Sequence, residues 1–156
     1  MSAYCNNTVQ TVNAGSPVVF NETIVPCTRG LIRHNDGTPN FLLSGNANSD
    51  YSGCPCCNTN QAEYQALVKA NIAIPTGGTV GEISLALAIE GTVLPISEMV
   101  VTPTALNSYF NVSAVIPVEV WNGCCQTITL INTSDQPILV RTPLISLSRP
   151  DLVVTY

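Results

Sequence analysis

Ile83-Ser84-Leu85-Ala86-Leu87-Ala88-Ile89-Glu90-Gly91-Thr92-Val93 is the stretch on which the fold of this chain turns. Large aliphatic residues occupy every second position from Ile83 to Ile89, and a side-chain period of two marks a strand lying on a core. The intervening Ser84, Ala86 and Ala88 are small rather than charged. That pattern suits a second face that is also covered, either by a neighbouring subunit or by close packing within one sandwich. Glu90-Gly91-Thr92 then joins two apolar runs as a tight hairpin.

Working outward, β-branched and apolar runs separated by turn residues predict strands over 17–25, 30–34, 40–44, 64–74, 82–89, 92–101, 109–120, 126–132 and 138–148. Their rhythm is that of an antiparallel β-sandwich or barrel, an all-β fold. Pro75-Thr76-Gly77-Gly78 offers a turn with positive φ, and Asn122-Gly123 is the strongest short hairpin signal in the chain. A single helical turn is expected at Pro103-Thr104-Ala105-Leu106-Asn107, behind Thr102 as its cap. Residues 45–61 read as a polar loop. Residues 1–15 lack apolar periodicity and read as an N-terminal arm, 16–149 as the domain, and 150–156 as a strand-like tail able to pair with its own sheet or with a neighbour's edge.

Composition narrows the function. The 156 residues hold one histidine, five Lys and Arg, and ten Asp and Glu, so only 10% are charged, against roughly 25% in an ordinary domain. Enzymes need titratable groups tuned in a cleft, and few are on offer. The net charge of −5 and the absence of a basic cluster argue against nucleic acid and anionic lipid as partners. No long apolar stretch predicts a membrane span, and the polar start has no signal-peptide pattern. Apolar residues make up 46%, so a lone subunit is expected to expose apolar patches, which commonly mark interfaces.

A family resemblance enters at residues 71–89, Asn71-Ile72-Ala73-Ile74-Pro75-Thr76-Gly77-Gly78-Thr79-Val80-Gly81-Glu82-Ile83-Ser84-Leu85-Ala86-Leu87-Ala88-Ile89. It is carried further by Val101-Thr102-Pro103, Tyr109-Phe110-Asn111-Val112-Ser113, Asn122-Gly123-Cys124-Cys125 and Asn132-Thr133-Ser134-Asp135-Gln136. Together they resemble the small TNF/C1q-like jelly rolls of Gram-positive bacteria and their phages, over about residues 16–149. The resemblance implies a two-sheet jelly roll that trimerises about a threefold axis on a surface such as a phage capsid, a head fibre or a spore coat. Spore-surface relatives usually carry a collagen-like Gly-X-Y stalk. None occurs here, which favours the virion surface.

Seven cysteines, Cys5, Cys27, Cys54, Cys56, Cys57, Cys124 and Cys125, suggest an oxidising final setting and are candidates for disulfides. Cys5, in the arm, is the candidate for a bridge between subunits. A thiolate zinc site from Cys54-Pro55-Cys56-Cys57 and Cys124-Cys125 is disfavoured, because knuckles keep two to four residues between ligands. His34 with nearby Asp36 lacks the context of a nucleophile and reads as a polar residue at a strand end. The carboxylates are scattered without a glycosidase spacing, and Asp50 with its Asn neighbours lacks a calcium-loop pattern. Trp121, beside the Asn122-Gly123 turn, is the candidate ligand contact, while Phe110 is assigned to the core. No catalytic residue, metal or cofactor is expected. The expected partners are copies of the chain, other capsid or surface-layer proteins, and glycans under a carbohydrate-binding alternative.

Overall fold

The computed structural model describes residues 1–45 and 61–150. Twelve strands lie among them: β1 (Ser2–Cys5), β2 (Gln10–Val12), β3 (Glu22–Val25), β4 (Ile32–His34), β5 (Phe41–Ser44), β6 (Gln61–Ala73), β7 (Ile83–Ile89), β8 (Thr92–Val93), β9 (Met99–Val101), β10 (Phe110–Trp121), β11 (Cys125–Asn132) and β12 (Ile138–Ser148). They form two antiparallel sheets. One runs β10-β6-β12-β1-β3, with β2 also on β12; the other runs β4-β5-β11-β7-β8, with β9 also on β7. Consecutive strands β5, β6 and β7, and again β10, β11 and β12, alternate between the sheets, so each of those connections crosses the sandwich. This is a two-sheet β-sandwich, as the strand rhythm predicts, in the jelly-roll form that the resemblance implies.

The core is the seam between the sheets. From β6, Ala62, Tyr64, Ala66, Val68, Ala70 and Ile72 point inward, small and large side chains in turn. They share one buried cluster with Leu85 and Leu87 of β7, Ile128 and Leu130 of β11, and Ile145 and Leu147 of β12. Interleaving small and large residues is how two sheets reach crystal-like density. Tyr64 is fully buried; its hydroxyl donates to the Ser44 carbonyl at 2.6 Å, with the Leu31 carbonyl at 3.1 Å. The second face of β7 is covered within one chain. Ala86 and Ala88 are buried, lying in register with Ile131 and Thr129 of β11 and, for Ala88, Val93 of β8. Close packing therefore accounts for the small residues, and no neighbouring subunit is needed there.

Four sequence expectations need correction. Residues 1–15 are not a free arm: β1 lies between β12 and β3, and β2 pairs with β12. The polar residues that suggested an arm hold it down instead. Asn6 Nδ2 donates to the Val19 carbonyl, and the Gln10 side-chain amide bonds both the carbonyl and the N–H of Val19. The predicted strand over 92–101 is interrupted by a 3₁₀ turn, Pro95–Ser97. Pro95 favours that turn's start, and the Ser97 hydroxyl accepts from the Leu87 N–H while donating to the Leu94 carbonyl. No helical turn forms at residues 103–107; Asn107 sits at φ 57° and its N–H donates to Ile74. Asn122-Gly123 does make a tight turn, closed by Cys124 N–H to the Trp121 carbonyl. It is not a hairpin, because it carries the chain from β10 in one sheet to β11 in the other. The Glu90-Gly91 turn is a true hairpin: both residues have positive φ, as a type I′ turn requires, and Ile89 pairs with Thr92.

Candidate functional site

The alternation that fills the core also defines the outward face of the β10-β6-β12-β1-β3 sheet. Between the buried Tyr64, Ala66, Val68 and Ala70, β6 turns Gln65, Leu67 and Lys69 outward. Between Val112, Ile116 and Val118, β10 turns Ser113, Val115 and Pro117 outward. Register then assembles rows across the sheet. Val115 stands opposite Leu67, Leu67 opposite Ser146, and Ser146 opposite Ala3. The next row runs Ser113, Lys69, Leu144, Cys5 and Glu22. Leu67 is 41% and Val115 54% exposed, and across these two rows the charges are Lys69 in the middle and Glu22 at the margin.

The two ends of the face differ. At one, Asn111 donates to Asn71, Asn71 donates to Thr142, and the Arg141 guanidinium lies 4.4 Å from the centre of the Tyr109 ring. At the other, Glu119 stands opposite Glu63 and Trp121 opposite Gln61. The middle combines exposed aliphatic and small polar side chains with the single charge of Lys69, and the chemical capacity of its aliphatic part is to leave water against a matching surface. Sequence reading did not single out Leu67 or Val115. The available signal is one of phase: each is an aliphatic residue in the solvent-facing register of its strand, between Gln65 and Lys69 or Ser113 and Pro117.

His34 ends strand β4, as the sequence suggests, but it is not a surface residue there. Its side chain is fully buried, stacked on Phe41 at 4.3 Å between centroids, with Tyr4 at 4.9 Å and Phe20 at 6.4 Å. Its ring nitrogens face the carbonyls of Asn40 (2.9 Å) and Phe20 (3.2 Å). Asp36 Oδ1 is 3.9 Å from Nε2 and accepts from the Thr23 hydroxyl. The imidazole is a structural plug among rings, with both nitrogens directed at backbone rather than at a nucleophile.

Among the described cysteines, Cys5, Cys27, Cys124 and Cys125 are free thiols; Cys54, Cys56 and Cys57, like Asp50, lie outside the described residues. Cys5 sits in β1 rather than in an arm. No group of three His, Cys, Asp or Glu close enough to hold a metal occurs among the described residues. Two thiols are tuned in opposite directions. Burial, then the Glu22 carboxylate beside it, pushes Cys5 up. Burial also opposes ionisation of Cys27, but the backbone N–H groups of Arg29, Ile32, Leu31 and Gly30 aim at its sulfur and hold it below the usual thiol value. The thiolate is the reactive form. Near neutral pH, iodoacetamide should therefore modify Cys27 several-fold faster than Cys5, and the gap should narrow as pH rises past the Cys5 value. Peptide mass mapping over a time course reads both rates, and equal rates at neutral pH would contradict the assignment.

Trp121 is 55% exposed and Phe110 38% exposed, so Phe110 is a rim residue rather than the core residue expected. No family model matches the chain, and no curated protein does. Solved structures do. The chain is similar to the globular domain of zebrafish complement 1qA, with a TM-score of 0.64 over 96% of this chain and 95% of that one, at 11% identity. It is equally similar to Eiger TNF from S. frugiperda, with a TM-score of 0.64 over 99% of this chain and 93% of that one, at 12% identity. A family 35 carbohydrate-binding module from Clostridium thermocellum aligns over 92% of this chain and 90% of that one at 14% identity, but its TM-score of 0.35 is too low to speak for a common architecture. At these identities what is established is the fold, a TNF/C1q-like jelly roll.

Proposed function

We propose that this protein is a non-enzymatic structural subunit that trimerises through the outward face of its β10-β6-β12-β1-β3 sheet and stands on a phage capsid as a decoration or head-fibre protein. One observation carries the reading. Leu67 and Val115, both exposed, face each other in register on a sheet surface whose two central rows hold Lys69 and, at the margin, Glu22 as their charged residues. A stable interface hides roughly 800 Å² per partner, about a tenth of this chain's 8259 Å². Depletion of charge at the centre, with polar residues toward the rim, is the composition such interfaces share. The resemblance in the sequence supplies the threefold symmetry and the surface setting.

A bacterial spore-surface or filament subunit is the second reading, favoured by one feature. Cys124 and Cys125 are exposed thiols at the β10–β11 turn, placed to crosslink neighbouring molecules once the surroundings oxidise. Immunogold labelling with an antibody to the purified chain separates the two. Gold on intact virions is expected. Gold confined to spores or filaments, with none on virions, would replace the first reading with the second.

A further inference from the structure

The chain's one tryptophan stands exposed at the far end of β10, on the same outward face but away from its apolar centre. It lies six positions along the strand from Val115, roughly 20 Å at the usual rise. Its surroundings are of another chemistry. Gln61 lies directly opposite, Glu119 two residues back on the same strand, and Glu63 opposite Glu119. We propose that this corner is a carbohydrate platform, taking a sugar ring of a neutral oligosaccharide flat against the Trp121 indole, with its hydroxyls bonded to Glu119 and Gln61.

Three physical arguments support that choice. An indole left more than half exposed on a regular strand offers a large flat apolar face that gains by being covered. A second copy is a poor cover. Glu63 and Glu119 are like charges in direct cross-strand register, and each further copy would bring another such pair into the contact, whereas interface centres shed charge. The same two carboxylates repel phosphates, nucleic acids and acidic glycans. What remains must be flat, rich in donors and without negative charge. A pyranose ring meets all three conditions: its C–H face lies on the indole, its hydroxyls donate to a carboxylate in charge-assisted bonds, and the Gln61 amide can both give and take. A lysine or arginine side chain would also be attracted here, but recognition of cations by aromatic groups favours several walls around the charge, and no ring pair among the described residues includes Trp121.

Because Trp121 is the chain's sole tryptophan, its fluorescence reports on this corner alone. The full-length protein would be titrated with chitohexaose, cellohexaose and laminarihexaose up to roughly 10 mM, where even a 1 mM affinity saturates. Light scattering on the same samples would follow the assembly state. A saturable blue shift with at least one sugar is expected, weakened roughly tenfold by Glu119→Gln. Trp121→Ala, read by migration in gels containing the matching polysaccharide, should lose all retardation while keeping its assembled mass. Silence toward all three sugars overturns the proposal. So does a shift caused only by a tetralysine peptide and abolished by salt, which would make the corner a cation site. Self-association is judged separately by the scattering, so either claim can fail without the other.

Discussion

Replacing Leu67 with arginine is expected to break the assembly into monomers of 16.5 kDa while leaving each monomer folded. Leu67 sits mid-strand in β6, opposite Val115 on one side and Ser146 on the other, with its side chain outside the core. A guanidinium there would enter a surface whose nearest charge is Lys69, of the same sign and two residues along the strand. No carboxylate shares its row, so each buried copy of the charge would go unpaired, and an unpaired buried charge costs about 3–5 kcal/mol. About a threefold axis that cost is met three times, which exceeds what a modest interface can absorb. Leu67→Ala removes only apolar area and should weaken association without abolishing it. Light scattering on the eluting peak reads both variants. A Leu67→Arg protein that keeps the wild-type mass would show that this face is not where copies meet.

Phe41→Ala is expected to lower the stability of the fold by about 3–5 kcal/mol. Phe41 is fully buried, with ring centroids 5.0 Å from Tyr4, 5.1 Å from Phe20 and 4.3 Å from His34. Those four residues come from β1, β4, β5 and the segment before β3, so the ring ties the N-terminal strand of one sheet to the edge of the other. Its removal would leave a cavity walled by stiff rings that collapse poorly. At roughly 2–4 °C per kcal/mol for a chain of this size, the melting temperature should fall by about 10 °C. Phe41→Leu, which keeps most of the volume, should cost less than half as much. Urea unfolding with an unchanged slope would confirm that the native state, rather than the unfolded chain, is what changed. A loss under 1 kcal/mol would contradict the description of this cluster.

The fold is legible where the signal is local and long. β6, β7, β10 and β12 announce themselves through alternation, and the Glu90-Gly91 hairpin through Gly91, which takes positive φ freely. β1 and β2 are hidden because each carries a single large buried apolar residue, Tyr4 and Val12 respectively, too few to establish a period. The Asn122-Gly123 turn misleads for a different reason. Turn chemistry dictates a reversal of direction but not which sheet the next strand joins, and here the next strand joins the opposite sheet.

The site is less legible than the fold because it is made by register. Trp121 meets Gln61, and Val115 meets Leu67, only once β10 and β6 pair over a dozen positions. A shift of one residue would turn Leu67 into the core and Val68 out of it. The burial of His34 is hidden for a related reason: it depends on rings from three other segments, none adjacent to it in sequence. Composition, by contrast, is legible without register. A chain with 10% charged residues has little to place on its surfaces except small polar and apolar groups, and one such surface is the face described here.

Sedimentation equilibrium of the wild-type chain at micromolar concentration is the most direct test of the claim that copies cover one another's sheet faces. A species of three times 16.5 kDa, stable to dilution, is the predicted result. A single species of 16.5 kDa at every concentration would mean that Leu67 and Val115 stay in water, and the account would fail with it.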